Sequence, residues 1–256
     1  MRSECHASIV RLRAYYRPIL ISGDTRHSSK GFHSVFAMKI HTIISVTCFK
    51  RQDFDDRSLA ELRFVIGASQ FSSFFQILQA GFILKALVGC SIKSFLTQQL
   101  GVSPEYITER IQSVFLEGRP VDDLDSAVIH DGSHLSLSAA MPGLVGATMR
   151  RGGFYGALRS SITYKESGSP CEIAEGCVHL KLFNLLMKEL GPDIFKMGIY
   201  LSSSHLAEFL SGQPLEFWQG CKEILLNEKP VRRDLLDKEN WLSRYNLVHL
   251  SVAMLD

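Results

Sequence analysis

Two short segments of the chain, residues 135–141 and 248–254, alternate apolar with polar or small side chains. A period of two turns every second side chain toward the core of a sheet, so each segment predicts a strand. Both end in Leu-Ser-x-Ala-Met, and a slip of one residue would turn the apolar set outward. The shared register therefore favours an internal duplication over chance. The predicted core positions are Leu135, Leu137, Ala139 and Met141 in the first segment and Val248, Leu250, Val252 and Met254 in the second.

The duplication extends backward from these strands, over residues 95–141 and 209–254. Each window begins with Phe-Leu, carries an apolar triplet before a turn, and follows the turn with Pro-Val. We therefore predict an α+β fold of two tandem copies, each a small mixed sheet packed on one main helix. The anchors are Phe95, Leu96, Val114, Phe115, Leu116, Pro120 and Val121 in the first copy and Phe209, Leu210, Ile224, Leu225, Leu226, Pro230 and Val231 in the second.

Local signals complete the second copy. Alternation over residues 178–182 predicts its opening strand, and residues 198–201 predict a second strand. Ser204 is predicted to cap the helix that carries the Phe-Leu anchor, because a serine side chain can accept from a free N–H of the first helical turn. Trp218 is predicted to lie in the core, and residues 227–228 to form the turn between two short strands.

In the first copy, Ser91 is predicted to begin the matching helix and Gly101 to end it. Ser103 is predicted to cap a short extra helix, because proline and glutamate follow it in the first turn. The opening strand of this copy stays open between residues 39–49, which are rich in Ile, Val and Thr, and residues 61–67.

These assignments divide the chain into four parts. Residues 1–37 match nothing in the second copy, and we expect a poorly ordered extension. The first domain covers residues 38–143, a glycine-rich linker covers residues 144–176, and the second domain covers residues 177–256. Residues 64–84 carry no charged side chain and are long enough to span a bilayer. Because six of them are Ser or Gln, we interpret the segment as a buried helix, with a membrane anchor as the alternative.

A family resemblance enters at residues 131–143, which read DGSHLSLSAAMPG. The segment resembles the closing motif of the β-grasp (ubiquitin-like) sulfur carriers, the small subunit of molybdopterin synthase and the ThiS-type proteins. In that family an Asp-Gly turn, here Asp131 and Gly132, leads into an apolar strand and then into a flexible Gly-Gly tail. Pro142 and Gly143 match the start of that tail. The second copy resembles the same family where Lys-Leu-Phe at residues 181–183 precedes Lys-Glu-Leu-Gly.

The resemblance implies a tail whose terminal carboxylate becomes a thiocarboxylate, with glycines to pass a narrow channel of a partner enzyme. Here Gly143 falls on the penultimate glycine, but Leu144 stands at the last position and the chain continues. The second copy ends without glycine. We therefore expect a non-catalytic protein-interaction or accessory protein, with no cofactor, whose partner is a protein such as an enzyme of cofactor or sulfur metabolism. The alternative is a sulfur carrier or molybdopterin-synthase-like subunit activated by cleavage near Gly143.

Residues 143–156 contain five glycines and two arginines. The segment is interpreted first as a flexible linker that turns at its glycines. The sharper hypothesis is an anion site, in which Arg150, Arg151 and the backbone N–H groups of Gly152 and Gly153 hold a phosphate or carboxylate. Four aspartates at residues 122–131 are interpreted as a solvated acidic loop.

Composition narrows the function further. The net charge of +2 gives no strong field to gather nucleic acid or acidic lipid, so we expect neither nucleic acid nor a membrane as partner. No two of the six cysteines form a CxxC pair, and no metal site is predicted. No secretory signal precedes Tyr16. We therefore expect reduced thiols in the cytoplasm. His134 and His249 are predicted to be surface residues, and no motif calls for an enzyme.

Overall fold

The computed structural model describes residues 59–166, 172–236 and 244–255. Within these ranges the fold is mixed α/β, with one ten-stranded mixed sheet and a small two-stranded sheet. The strands are β1 (Leu59–Gly67), β2 (Phe82–Val88), β3 (Cys90–Ser91), β4 (Ser113–Leu116), β5 (Arg119–Pro120), β6 (Val128–Ile129), β7 (Ser133–Ser138), β8 (Ala174–Phe183), β9 (Ile199–Ser202), β10 (Cys221–Leu226), β11 (Lys229–Pro230) and β12 (Leu247–Leu255).

The described helices are short and lie between the strands. Two 3-10 segments, Ala68–Phe74 and Phe154–Arg159, and a π-helical segment, Phe95–Gln99, accompany them. The α-helices are α1 (Phe75–Ala80), α2 (Ile92–Ser94), α3 (Pro104–Glu109), α4 (Gly143–Met149), α5 (Leu185–Glu189), α6 (Gly191–Met197), α7 (Ser203–Ser211), α8 (Leu215–Gly220) and α9 (Arg233–Leu236).

Serine caps begin three of these helices. Ser91 accepts from the N–H of Ser94, and Ser103 accepts from the N–H of Tyr106, as the sequence predicts. The cap of α7 is Ser202, whose hydroxyl accepts from the N–H of His205. The predicted cap, Ser204, is wrong by two residues because Ser204 already lies inside the first turn of the helix.

The ten strands follow the order β11-β10-β1-β12-β9-β2-β8-β7-β4-β5. We call β9, β12, β1, β10 and β11 the second half-sheet and β2, β8, β7, β4 and β5 the first half-sheet. The two halves meet where Ile83 of β2 pairs with Tyr200 of β9. Each outer edge is a strand of only two residues that contains a proline, Pro120 in β5 and Pro230 in β11.

Each half-sheet takes strands from both predicted copies. β8 begins the second copy but lies between β2 and β7 of the first, parallel to β7. β1 begins the first copy but lies between β12 and β10 of the second, parallel to β12. The strands therefore form one continuous sheet rather than two separate small sheets. Of the two candidates for the opening strand, residues 61–67 lie in β1, whereas residues 39–49 lie outside the described residues, as do residues 1–37.

Both short hairpins have the predicted turn. Glu117 and Gly118 have φ values of 51° and 72°, and Asn227 and Glu228 have φ values of 49° and 63°. Two consecutive left-handed residues are typical of the two-residue turn whose twist matches that of the flanking strands. The paired residues are Leu116 with Arg119 and Phe115 with Pro120 in the first hairpin, and Leu226 with Lys229 and Leu225 with Pro230 in the second.

One face of the sheet packs on the core. Six of the predicted core positions are buried, namely Leu135, Leu137, Ala139, Val248, Leu250 and Val252. Met141 and Met254 are only half-buried, and Met141 lies beyond Ser138, where β7 ends. Trp218 is buried as well, as predicted. A cluster of phenylalanines fills the space between the second half-sheet and its helices, with ring centroids 5.2–6.2 Å apart: Phe64, Phe74, Phe195, Phe209 and Phe217.

The uncharged segment at residues 64–84 is not a single buried helix. It runs through the end of β1, the 3-10 segment, α1 and the start of β2. Gly81, between α1 and β2, has φ 115°, which ends the helix and lets the chain turn directly into the strand. Among the described residues, we find no helix with both the length and the apolar character needed to cross a membrane.

Candidate docking surface

The segment predicted as a linker is attached to the first half-sheet by a buried arginine. Arg159 is only 3% exposed, and its guanidinium makes a two-pronged ion pair with the carboxylate of Asp122, at 2.6 and 3.0 Å. The same group also donates to the carbonyls of Thr148 and Arg150 and to the hydroxyl of Thr163. All the donors of this side chain point inward, so the contact fixes the segment in place.

The predicted anion site uses its donors within the protein. Arg151 donates to the carbonyls of Ile107 and Ile111, at 2.8 and 3.3 Å, and burial lowers its pKa. The N–H of Gly152 donates to Asp122 at 3.3 Å. The carboxylate of Asp122 therefore lies where an external anion was expected.

The other two predicted residues do not join Arg151 and Gly152 around a ligand. Arg150 is exposed, and the N–H of Gly153 donates to the carbonyl of Arg150 at 3.2 Å. The interpretation of the four aspartates as a solvated loop is wrong for Asp122, because its carboxylate pairs with the buried Arg159. Asp123 accepts from the N–H groups of the next turn, which lowers its pKa, and Asp125 pairs with Lys93 at the surface.

The tail-like motif is built into the sheet at its start. The carboxylate of Asp131 accepts from the N–H of Cys177 at 2.8 Å, and the N–H of Gly132 donates to the carbonyl of the same residue. This turn aligns β7 beside β8. Pro142 and Gly143 are exposed, but the chain continues from Gly143 into α4 instead of ending in a free tail.

The outward side of the same segment exposes large apolar side chains. Phe154 is 93% exposed and Leu158 is 74% exposed, although a soluble fold normally buries at least part of such groups. The rings of Phe154 and Tyr155 touch edge to face, with centroids 5.2 Å apart. We call the exposed set the apolar platform: Leu144, Val145, Phe154, Tyr155, Leu158 and Ile162.

A second surface with unusual chemistry crosses the sheet on the face opposite the core. The rings of His134 and His179 stack with centroids 4.5 Å apart, and those of Tyr200 and His249 lie 4.7 Å apart. The ammonium of Lys85 lies 4.9 Å from the centre of the Tyr200 ring. Backbone pairing places one residue from each of six neighbouring strands in a single row: Glu61, His249, Tyr200, Ile83, His179 and His134.

The histidines of this row are largely packed against their neighbours. His134 is exposed, as predicted, but His249 is half-buried because its ring lies over the backbone of Gly198, where no Cβ could fit. Burial and the neighbouring His134 lower the pKa of His179 to about 4. Burial also lowers the pKa of His249. The lowered pKa values favour the neutral imidazoles of His179 and His249, so these two residues do not make the row an anion site.

A metal centre does not compete with the platform in the part of the chain that the structure describes. No cluster of three or more His, Cys, Asp or Glu side chains suited to a metal occurs in the described ranges. A cavity beside β2, lined by Leu84, Phe95 and Leu100 among others, has about 10 Å³ and could hold at most one water.

Sequence reasoning found the segment but not its chemistry. Arg159 and Asp122 are 37 residues apart, and neither belongs to a motif. The sequence feature that could have indicated a docking surface is the presence of apolar residues among glycines and arginines, including two adjacent aromatic residues at 154–155. Comparisons of the chain with protein-family models, curated proteins and solved structures found no match. The function must therefore be argued from the geometry.

Proposed function

We propose that this is a non-catalytic accessory protein that acts by docking through the apolar platform. The proposal rests on the burial pattern of residues 143–162, which is the reverse of the usual one for charged and apolar side chains. This segment buries Arg159 and exposes Leu144, Phe154 and Leu158. A loop that only connected two strands would gain stability by doing the opposite. Exposed apolar residues on a fixed base are typical of a surface that a partner covers.

The resemblance to sulfur carriers is part of the proposal. Each half-sheet contains the elements that the resemblance implies, a small mixed sheet with a helix, and the Asp-Gly turn leads into an apolar strand. We propose two β-grasp-like units whose opening strands have exchanged places. The resemblance would supply a cytoplasmic setting and an enzyme of cofactor or sulfur metabolism as an associated protein.

The test is site-specific photo-crosslinking in the native host. A photoreactive amino acid replaces Phe154 in one version of the full chain and Leu215 in another. Leu215 is a matched control because it is also an exposed apolar residue, at 54%, but lies in α8. We expect a discrete adduct from position 154 with the protein or lipid that covers the platform, its loss when Leu158→Ser is added, and no adduct from position 215.

Equal labelling from both positions would contradict the proposal, and so would the absence of any product from position 154. The intact mass of the protein from its host tests the remaining expectation from the family. The proposed docking mode needs the chain to remain continuous through Gly143. A chain that ends at Gly143 or Leu144, with sulfur in place of a terminal oxygen, would instead establish a carrier released by cleavage.

A further inference from the structure

The charge of the platform segment differs from that of the whole chain. Residues 143–166 contain four Lys or Arg side chains and one acidic side chain, Glu166, although the net charge of the chain is only +2. Asp122 neutralises Arg159 within the fold, and Glu166 accepts from the hydroxyl of Tyr164 and the N–H of Val128. Arg150 and Lys165 of the same segment remain exposed. The occupant of the platform must therefore offer an apolar surface with negative charge around it.

This charge excludes two occupants that the chain itself could provide. A second copy would place the same patch against itself, because two-fold contacts are self-complementary, and its cations would repel. Residues 1–58 contain ten Lys or Arg and five Asp or Glu, so that segment is also positively charged. An acidic occupant from outside the chain is left.

The exposed side of the segment favours an anionic lipid surface over an acidic protein. Protein interfaces carry about one hydrogen bond for every 100–200 Å². Many polar groups of this segment are bound within the protein: Arg151 and Arg159 bind backbone carbonyls and Asp122, and Thr148 donates to the carbonyl of Val145. The exposed side offers apolar groups, two flexible cations and the hydroxyls of Tyr155, Ser160 and Ser161, and a tyrosine among exposed apolar side chains is typical of a membrane interface. A lipid surface needs no directional bonds, whereas apolar insertion with flanking cations is sufficient for it.

We infer that the apolar platform docks on an anionic lipid bilayer surface. Phe154, Leu158 and Leu144 enter the boundary between headgroups and acyl chains, and Arg150 and Lys165 contact the headgroups. The inference rests on the proposed function and specifies the occupant of its docking surface. The protein that the sulfur-carrier resemblance implies would then bind elsewhere on the molecule. The contact is interfacial and needs no spanning helix.

Vesicle binding by the full-length protein tests this inference. Vesicles of phosphatidylcholine alone are compared with vesicles that contain about one-third phosphatidylserine. We expect binding to the anionic vesicles that falls at least about tenfold with Phe154→Ser plus Leu158→Ser and stays unchanged with Leu215→Ser. Arg150→Ala plus Lys165→Ala should weaken binding about thirtyfold, because each cation near such a surface contributes on the order of 1 kcal/mol and about 1.4 kcal/mol corresponds to tenfold.

A spectroscopic readout reports insertion directly. Tryptophan introduced as Phe154→Trp should shift its emission to the blue on anionic vesicles, whereas Leu215→Trp should not. No binding to anionic vesicles, or equal binding to neutral ones, would overturn the inference. A crosslink from position 154 to a protein, together with no vesicle binding, would overturn the lipid surface as occupant and leave the proposed function standing. The absence of both the crosslink and the vesicle binding would contradict the lipid inference and the proposed function alike.

Discussion

The two half-sheets make the same contacts with different strands. In the first, the hairpin turn docks on β7: the N–H of Glu117 donates to the carbonyl of His134, and the Glu117 side chain accepts from the N–H of His134. In the second, Asn227 makes the same two bonds with Glu61 of β1. The position beside the hairpin is thus filled in one half by β7, the last strand of the first copy, and in the other half by β1, the opening strand of the same copy.

The halves differ in what covers the hairpin. In the first half, residues 143–166 lie over it, with the N–H of Tyr164 donating to the carbonyl of Pro120, and Val121 is 2% exposed. In the second half, Pro230 is exposed and Val231 is half-buried. Among the described residues, the platform therefore belongs to one half, where β7 connects to β8. We place the function in the platform because it belongs to one half, whereas the framework that the two halves share is needed for folding in both.

The largest expected effect tests whether the halves form one cooperative unit. Leu250→Asp places a charge in the core of β12, where the side chain is fully buried, and should cost at least several kcal/mol. Because the sheet is continuous, we expect both halves to unfold in one transition, followed by circular dichroism and by the fluorescence of Trp218. Ser251→Asp, whose side chain points to the opposite face, should be nearly silent. Two separate transitions would show that the halves fold independently.

The next effect concerns the cover that only the first half has. Asp122→Ala leaves the buried guanidinium of Arg159 without its carboxylate, so we expect a loss of about 3 kcal/mol in urea unfolding. Asp125→Ala is the matched control, because it removes a surface pair with Lys93 and should cost less than about 1 kcal/mol. Equal losses of unfolding free energy in the two variants would mean that the ion pair between Asp122 and Arg159 does not hold residues 143–162 in place.

A third prediction compares His179 in the first half with His249 at the equivalent position of the second. The pKa of His179 falls to about 4 in the fold, so the unfolded chain binds the proton more readily. This difference in pKa contributes to the free energy of unfolding. The contribution is fully present above pH 6.5 and is lost as the pH falls toward 4. It amounts to on the order of 3 kcal/mol.

The groups that act electrostatically on His179 include His134, Glu117, Asp131 and Lys181. The measurement is therefore a difference, in which unfolding between pH 4 and pH 7 is compared for the wild type and His179→Gln. The variant should show a shallower loss of stability. His249→Gln should change the slope in the same direction, since burial lowers that pKa as well. Identical pH profiles for the wild type and His179→Gln would refute the assignment.

The smallest effect tests the helix starts that the halves share. Ser91 and Ser202 cap equivalent helices, with N···O distances of 3.2 Å in both. Ser202→Ala and Ser91→Ala should each cost about 1 kcal/mol in chemical unfolding. Ser204→Ala should cost less, because that side chain accepts no helix N–H and only contacts Ser202. A larger cost for Ser204→Ala would restore the original prediction of the cap.

Local features of this fold could be predicted from the sequence. The hairpins at residues 117–118 and 227–228 and the apolar alternation at Leu135 and Leu250 depend on neighbours only a few residues away. Ser91 and Ser103 were identifiable as caps for the same reason. Ser202 was missed because three serines stand in succession there, and each offers the same hydroxyl.

The places of β1 and β8 in the sheet were not predictable in this way. β1, β7, β8 and β12 all alternate, so pattern alone cannot decide which of them lies beside a given hairpin. The clamp between Asp122 and Arg159 was missed for a related reason, since an ion pair between distant residues leaves no periodic signal. The platform was visible as composition, but its outward direction depends on that clamp.

The two prolines at the ends of the sheet limit how the protein can associate. Pro120 and Pro230 have no N–H to offer to an added strand, and each lies next to a cation, Arg119 or Lys229. A ten-stranded sheet with open edges would be a template for end-to-end polymerisation. Here growth is blocked at both ends, so crowding should not convert the protein into fibrils by strand addition. The molecule can therefore keep a highly exposed apolar surface in one place while its long sheet remains inert toward its own copies.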